Sequence, residues 1–201
     1  MTLTVQIAAR HNFNKPDLCA MHRLRAKVFS DRKGWDVPVL SGMEIDGYDA
    51  IDPFYMLMRD DQGGLIRGCW RILPTDGPYM LKDTFPELLH GEPAPEDPHV
   101  WELSRFAIET GGDNKFGFSD IAMQSIGEII RFGHQSGITQ YITVTTTAIE
   151  RMLKRAGVVI RRFGPPIVIG VETAVAIYVD IEPSMDALGL RTPAPAAHTL
   201  N

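Results

Sequence analysis

"VWELSRFAI", residues 100–108, alternates like a strand and then loses phase. Trp101 and Leu103 hold one parity and Phe106 and Ile108 the other, with Glu102, Ser104 and Arg105 among them. Side chains on a strand alternate faces with a period of two, so one extra residue turns everything after it over. A β-bulge absorbs such a residue without losing the pairing, and bulges gather beside active sites. A strand that ends at Arg105, with Phe106 opening a loop, gives the same pattern. Alternation alone leaves both readings open.

The flanking sequence supplies the rest of a sheet. "LTVQIAA" (3–9) reads as a strand, and 16–31 carries Leu18, Met21, Leu24, Val28 and Phe29 at helical spacing between Pro16 and Gly34. Residues 36–52 look irregular. "FYMLMRDDQGGLIRGCWRIL" (54–73) reads as two strands around a glycine-rich turn, and "MLKDTFPELLHG" (80–91) as at most a short helix. Ser119 is placed to cap a helix reaching Gly137, with Ile121, Ile126, Ile129, Ile130 and Phe132 as its apolar stripe. "ITQYITVTT" (138–146) is strand-like, Thr147 reads as the cap of "AIERMLKRAG", and "VVIRRF" and "ETAVAIYVDI" add strands. The order β-α-β-β-β-α-β-α-β-β gives one α/β domain over 1–190, a mixed sheet flanked by helices. A Pro/Ala-rich tail, 191–201, is expected to be flexible.

Composition excludes more than it assigns. The 201 residues suffice for a full core. A net charge of −5 and a pI near 5.7 argue against a nucleic-acid binder relying on overall positive charge. Cys19 and Cys69 form no C-x-x-C and imply no disulfide framework, which points to a reducing cytoplasm. "MTLTVQIAARHNFNK" lacks the apolar core of a signal peptide, and no run approaches membrane-spanning length. The histidines show no metal-ligand spacing, so no metal is expected. There is no P-loop, G-x-G-x-x-G or G-x-S-x-G.

What remains is a set of charges: Asp46, Asp49 and Glu102 with Arg25, Arg71 and Arg105. Arg25 and Arg71 sit amid apolar neighbours, where an unpaired guanidinium is costly and a paired one tolerable. Singly, each reads as a turn or surface residue. Together they suit a charged cleft, although spacing does not establish that they converge.

These residues stand in motifs that resemble the acyl-homoserine-lactone synthases, the autoinducer synthases of bacterial quorum sensing. The likeness runs through "LRAKVF", "RKGWD", "EIDGYD", "CWRIL", "TFPELL", "WELSRFAI", "ITVTT", "RAG" and "RRFGP", covering nearly all of the chain but the tail. Its hallmark positions are Arg25, Phe29, Trp35, Asp46, Asp49, Arg71, Phe85, Glu102 and Arg105. The resemblance implies a fold similar to the GCN5-type N-acetyltransferases with a bulged strand near Ser104, which favours the bulge. Glu102 and Ser104 would then face the cleft, with Phe106 and Ile108 on that same side. "GGDNKFGFSD" (111–120) lacks the R/Q-x-x-G-x-G/A loop that holds coenzyme A in those acetyltransferases, so an acyl group borne by a carrier protein fits better.

The implied activity is an acyltransfer. The amine of S-adenosylmethionine, a substrate and not a cofactor, attacks the thioester of acyl-[acyl carrier protein]. Lactonisation then releases methylthioadenosine and an N-acyl-L-homoserine lactone. The resemblance gives Glu102 the role of base, Ser104 that of helper, and the backbone near Arg105 that of oxyanion donor. Glu102→Gln is expected to keep the shape and remove the base. Arg25, Phe29, Trp35, Asp46 and Asp49 would shape the S-adenosylmethionine side, with Arg71 there as an ion-pair partner. Trp70, Met80, Leu103, Phe106, Phe118, Met123, Val144, Thr145 and Leu153 are the candidates for the acyl pocket. Arg151, Lys154, Arg155, Arg161 and Arg162 form a basic run that would dock the acidic carrier. Two other readings stay open: an acyl-CoA N-acyltransferase that closes no lactone, and a binding protein without catalysis.

Overall fold

The computed structural model, which describes residues 3–60, 64–109 and 120–191, places the 100–108 stretch at the centre of an eight-stranded sheet. The strands are β1 (Leu3–Ala9), β4 (Phe54–Asp60), β5 (Ile66–Pro74), β6 (Val100–Ile108), β7 (Gln140–Thr146), β8 (Ile160–Arg162), β9 (Ile167–Ile169) and β10 (Glu172–Asp180). Val39–Leu40 (β2) and Met43–Glu44 (β3) pair separately, inside the stretch expected to be irregular. The spatial order is β1-β4-β5-β6-β7-β10-β8, with β9 also on β10. Pairing is antiparallel except between β6 and β7, which α3 (Asp120–Gln135) connects.

Helices cover both faces. On one, α1 (Lys15–Ala26) lays Met21 and Leu24 against Tyr55, Leu57, Cys69 and Ala107. Beside it, α2 (Met80–Asp83) and a 3-10 turn (Pro86–Leu89) bury Leu81, Leu88 and Leu89. On the other, α3, α4 (Thr147–Ala156) and α5 (Ile181–Ala187) bury Ile126, Ile129, Ile130, Leu153, Ile181 and Met185 on Trp70, Ile72, Leu103, Tyr141 and Val175. The fold is the mixed α/β domain read from the sequence.

The phase slip is a bulge. Cys69 pairs with Ala107 and Arg71 with Ser104, so Trp70 alone opposes both Arg105 and Phe106. Arg105 takes φ +56°, a left-handed conformation costing a non-glycine residue about 1–2 kcal/mol. The inserted residue returns Phe106 to the face of Trp101 and Leu103, where it stacks on Trp70 at 4.2 Å between ring centroids. This corrects the expectation that Phe106 shares the Glu102 side: a bulge restores the earlier parity, and Phe106 belongs to the apolar face.

β6 and β7 pair only at Val100–Glu102 and Gln140–Ile142; beyond that they part. A bulge bends and twists the strand that carries it, and the divergence begins two residues before this one. The result is a V-shaped gap in the middle of the sheet.

Several boundaries differ from the sequence reading. After α1 the chain widens into a π-helix, Lys27–Arg32. β9 and α5 were not foreseen, being three residues long and proline-interrupted respectively. Ser119 and the 111–119 stretch lie outside the described residues, as does the tail from 192. Among the described residues no helix is long and apolar enough to cross a membrane. The cap of α4 is Thr146, whose hydroxyl accepts the Ile149 N–H at 3.3 Å, and Thr147 is already helical. Thr146→Ala should therefore cost about 1 kcal/mol in urea denaturation, and Thr147→Ala within about 0.5 kcal/mol. Equal losses would show that the hydroxyl bond is not what starts this helix.

Candidate active site

Two arginines without side-chain exposure organise the α1 face of the sheet. Arg25, on α1, donates through Nε to Glu44 at 2.5 Å and through both terminal nitrogens to Asp49 at 2.8 and 2.9 Å. Tyr55 donates its hydroxyl to Asp49 at 2.6 Å. Burial alone would lower the Arg25 pKa; the bonds and charges of Asp49 and Glu44 reverse that and raise it. Burial likewise pushes Asp49 up, but Arg25 and Arg71 hold it well below the usual carboxylate range. Arg71, on β5, donates to Asp46 at 2.5 Å, to Asp49 at 3.1 Å and to the Ser104 hydroxyl at 3.1 Å.

The acids are fixed by their own turn. The Asp46 carboxylate accepts the Tyr48 N–H and the Asp49 carboxylate accepts the Asp46 N–H, each at 2.9 Å, a reciprocal cap on the 3-10 turn Gly47–Asp49. The "DG" turn signal in "EIDGYD" is thus a real turn, and that turn sets the two carboxylates toward Arg25 and Arg71.

Arg105 reaches the same network from the bulge. Its Nε donates to Glu44 at 2.9 Å, and its Nη2 lies 2.8 Å from Asp46 Oδ2 as an ion pair without hydrogen-bond geometry. Its guanidinium sits 5.7 Å from the centroid of Phe29, which stacks on Trp35 with centroids 5.2 Å apart and planes 6° from parallel. Arg71 lies 5.2 Å from the Tyr48 ring. The six residues expected on the S-adenosylmethionine side — Arg25, Phe29, Trp35, Asp46, Asp49 and Arg71 — converge, and the Arg105 side chain joins them. Phe85 packs into the adjoining core with Leu88 and Leu89.

Glu102 lies beside this network, 1% exposed, and both its oxygens accept backbone N–H groups at the start of α2, Met80 at 2.9 Å and Leu81 at 2.7 Å. Burial raises its pKa to about 7, against the pull of those N–H groups and of Arg71 and Arg105. A carboxyl poised near neutrality suits a general base, and buried, shifted acids beside a cleft mark functional sites.

The other side of the bulge is apolar. Trp70, Ser104, Arg105, Phe106, Ile126, Thr143, Val144, Thr145, Ile149 and Leu153 line a cavity of about 70 Å³ where β6 and β7 diverge. Five of the expected acyl-pocket residues line it: Trp70, Phe106, Val144, Thr145 and Leu153. Three do not. Met80 stands on the charged face, its sulfur 3.0 Å from Arg71 Nη2 and 3.3 Å from Arg105 Nη1. Leu103 is buried in the core beneath the strand, and Met123 points outward from α3. Phe118 lies outside the described residues.

The basic run divides. Glu150, on α4, is 1% exposed and accepts both Arg162 nitrogens at 2.8 and 2.6 Å and Lys154 at 2.9 Å, and these bonds, Arg162 first, bring its pKa down to about 2. Arg161 lies 3.5 Å over the Tyr178 ring. Arg151 and Arg155 are exposed and have no ion-pair partner among the described residues.

A family model described as autoinducer synthase matches residues 10–187. The chain belongs to the autoinducer synthase family. Relatives of this autoinducer synthase include an acyl-homoserine-lactone synthase of Pseudomonas aeruginosa, 52% identical over 180 residues, 89% of this chain and 90% of the relative. The crystal structure of the AHL synthase LasI has a TM-score of 0.86 at 52% identity and covers 93% of this chain and 94% of its own. BjaI, a CoA-dependent acyl-homoserine lactone synthase solved with SAM and isopentyl-CoA, reaches 0.82 at 25% identity, covering 96% and 92%. An acyl-CoA N-acyltransferase from Pseudomonas aeruginosa, 12% identical with a TM-score of 0.60 over 88% of this chain and 99% of its own, shares the fold alone. This autoinducer synthase is an acyltransferase of the acyl-homoserine-lactone synthase class.

Sequence reasoning missed Glu44, Tyr55 and the Met80 sulfur. Glu44 carried no signal of its own: with Glu102 counted, the acids of the set already balanced the three arginines.

Glu102→Gln is less neutral than its shape suggests, because the amide nitrogen turns a donor toward the Met80 or Leu81 N–H. An unsatisfied buried donor costs about 1–3 kcal/mol. The raised folded-state pKa means that the Glu102 contribution to stability is full below about pH 4.5 and declines as pH rises through about 7. The melting deficit of the Gln variant should accordingly be larger at pH 5 than at pH 8. Its kcat at pH 7 should fall roughly 10²-fold or more, with the defect shrinking by pH 9 as the substrate amine loses its proton unaided. A kcat loss as large at pH 9 as at pH 7 would show that Glu102 holds α2 and is not the base.

Proposed function

We propose that this enzyme joins S-adenosylmethionine to an acyl group delivered on acyl carrier protein, forming the amide and then the lactone and releasing methylthioadenosine. The observation that carries the proposal is the division of the cleft at the bulge. One side carries the charged network with the Phe29–Trp35 pair beside it, and the other is an apolar cavity between parted strands.

The charged side suits the sulfonium substrate. Half-buried Trp35, backed by the buried Phe29 ring stacked on it, offers a π face to a cation, the acids balance its charge, and an arginine suits its carboxylate. An amine of pKa near ~8 is neutral in roughly one molecule in ten at pH 7, and Glu102 collects the proton it loses, directly or through water. Attack on the thioester carbonyl builds an oxyanion, which the bulge N–H groups near Arg105 receive; its collapse breaks the C–S bond and releases the carrier thiol, reprotonated by the proton that Glu102 collected. Ser104, held by Arg71, lies between the two compartments and orients the thioester or a water. The methionyl carboxylate then closes the ring on the γ-carbon as methylthioadenosine departs.

The carrier assignment rests on Arg151 and Arg155, exposed on α4, the helix whose Ile149 and Leu153 line the apolar cavity. A second reading, an acyl-coenzyme A donor, draws support from BjaI. Incubating the enzyme with S-adenosylmethionine and either acyl carrier protein or coenzyme A bearing C6–C12 chains, followed by mass spectrometry, decides between them. The expected result is acyl-homoserine lactone and equimolar methylthioadenosine from the carrier-bound chains; preference for coenzyme A would move the donor assignment. Amide without methylthioadenosine, or no product, would overturn the lactone reading.

Reversing Arg151 and Arg155 to Glu should raise KM for the carrier, leave that for S-adenosylmethionine nearly unchanged, and leave the melting temperature nearly unchanged. Wild-type activity should fall with added salt. Arg162→Glu, which places a like charge against buried Glu150, should instead lower the melting temperature. An unchanged carrier KM in the double reversal would reduce the two exposed arginines to a solvated face.

A further inference from the structure

The V-shaped gap between β6 and β7 is closed at only one end by the sheet, at Val100–Glu102. At its open end another connection spans it. The segment 27–35, which carries Phe29 and Trp35, is bonded on both sides of the gap, at the end of β6 and at the start of β10, which pairs with β7. On the β6 side, Lys27 pairs with Glu109 at 2.8 Å and Arg32 donates to the Ile108 carbonyl at 3.2 Å. Arg67 of β5 fixes Glu109 from the other side at 2.7 Å. On the β10 side the anchor is the carboxylate of Glu172. Glu172 accepts the Trp35 indole N–H at 3.4 Å, and Lys33 lies 3.6 Å from the same Glu172 oxygen. The Lys33 ammonium also sits 4.9 Å from the Trp35 ring centroid. Register places Glu172 two residues beyond Ala174, which faces Thr146 at the end of β7, so these contacts lie at the mouth of the gap.

We propose that Glu172 is a positioning residue for S-adenosylmethionine: through Trp35 and Lys33 it straps the 27–35 segment across the open end of the split sheet and holds the Phe29–Trp35 stack in its binding orientation. This rests on the reading of that stack as the sulfonium side of the cleft. The geometry separates the two arms by function. The β6 arm carries the bulge and the charged network, the β10 arm pairs with the pocket-lining strand β7, and the strap fixes one relative to the other. Trp35 is bonded at its backbone to Phe29, its N–H donating to the Phe29 carbonyl at 2.9 Å, so tethering the indole also tethers the ring stacked on it. Arg105, 5.7 Å from Phe29, is the next group in line.

Glu172 is about one-third exposed, so its replacement leaves the core intact. The test measures S-adenosylmethionine affinity by titration calorimetry, with steady-state kinetics, in the wild type, Glu172→Gln and Glu172→Ala. Glu172→Ala removes both contacts and should weaken S-adenosylmethionine binding about tenfold, with kcat at saturation within about twofold and KM for the acyl donor unchanged. Glu172→Gln keeps an acceptor for the indole N–H and should fall between Ala and wild type. Equal loss in Gln and Ala would show that the Glu172 charge acts without the indole, which overturns the strap. An unchanged affinity in Ala, or a fall in kcat with both KM values raised together, would also overturn it. Absence of S-adenosylmethionine binding by the wild type would instead refute the substrate assignment on which the proposal stands.

Discussion

A guanidinium with no exposed surface has to be surrounded by anions, and Arg25 is such a group. Removing one ion from water costs several kcal/mol, and only close, well-directed partners offset it. Glu44 and Asp49 provide that compensation, which draws the 43–49 stretch down onto α1 and the sheet. Asp49 is shared with Arg71, Arg71 with Asp46 and Ser104, and Asp46 and Glu44 with Arg105. The left-handed backbone at Arg105 is therefore held by the same charges that neutralise Arg25. Fold and site are one electrostatic problem on this face.

The bulge converts that arrangement into a reaction geometry. By returning Phe106 to the apolar face while leaving Ser104 and Arg105 toward the charges, it places polar and apolar compartments back to back across one strand. A reaction joining a charged amino-acid derivative to a hydrocarbon chain needs just such a seam. Cys69 lies below it, buried with its thiol pushed up to about 12 by desolvation, and its thiol donates to the Arg105 carbonyl at 3.8 Å.

The same rule of charge pairing sorts the surface. Lys154 and Arg162 surround the buried carboxylate of Glu150 and so stabilise α4 against β8, while Arg151 and Arg155, without such a partner among the described residues, are exposed on the same helix. Four of the five basic residues thus divide by the position of a single acid that composition does not distinguish from any other, and Arg161 lies over the Tyr178 ring.

Alternation, helical spacing and turn chemistry determined the order of the long strands and of α1, α3 and α4, because they are local: "LTVQIAA", the 54–73 hairpin and the α3 stripe each declare themselves within a few residues. The phase slip in "VWELSRFAI" announced that something interrupts the strand. Whether a bulge or an end was present depended on β5 continuing to pair past Arg105, a contact with residues some 35 positions earlier. The convergence of Arg25, Asp46, Asp49, Arg71 and Arg105 was legible only through likeness to a family, since spacing along the chain fixes no distance between elements. Glu44, the outward Met123, the Glu150 partners and the Glu172 link to Trp35 were decided by tertiary structure alone. Each depends on which strand lies beside which, and therefore on which charges and apolar surfaces have to be matched across the sheet.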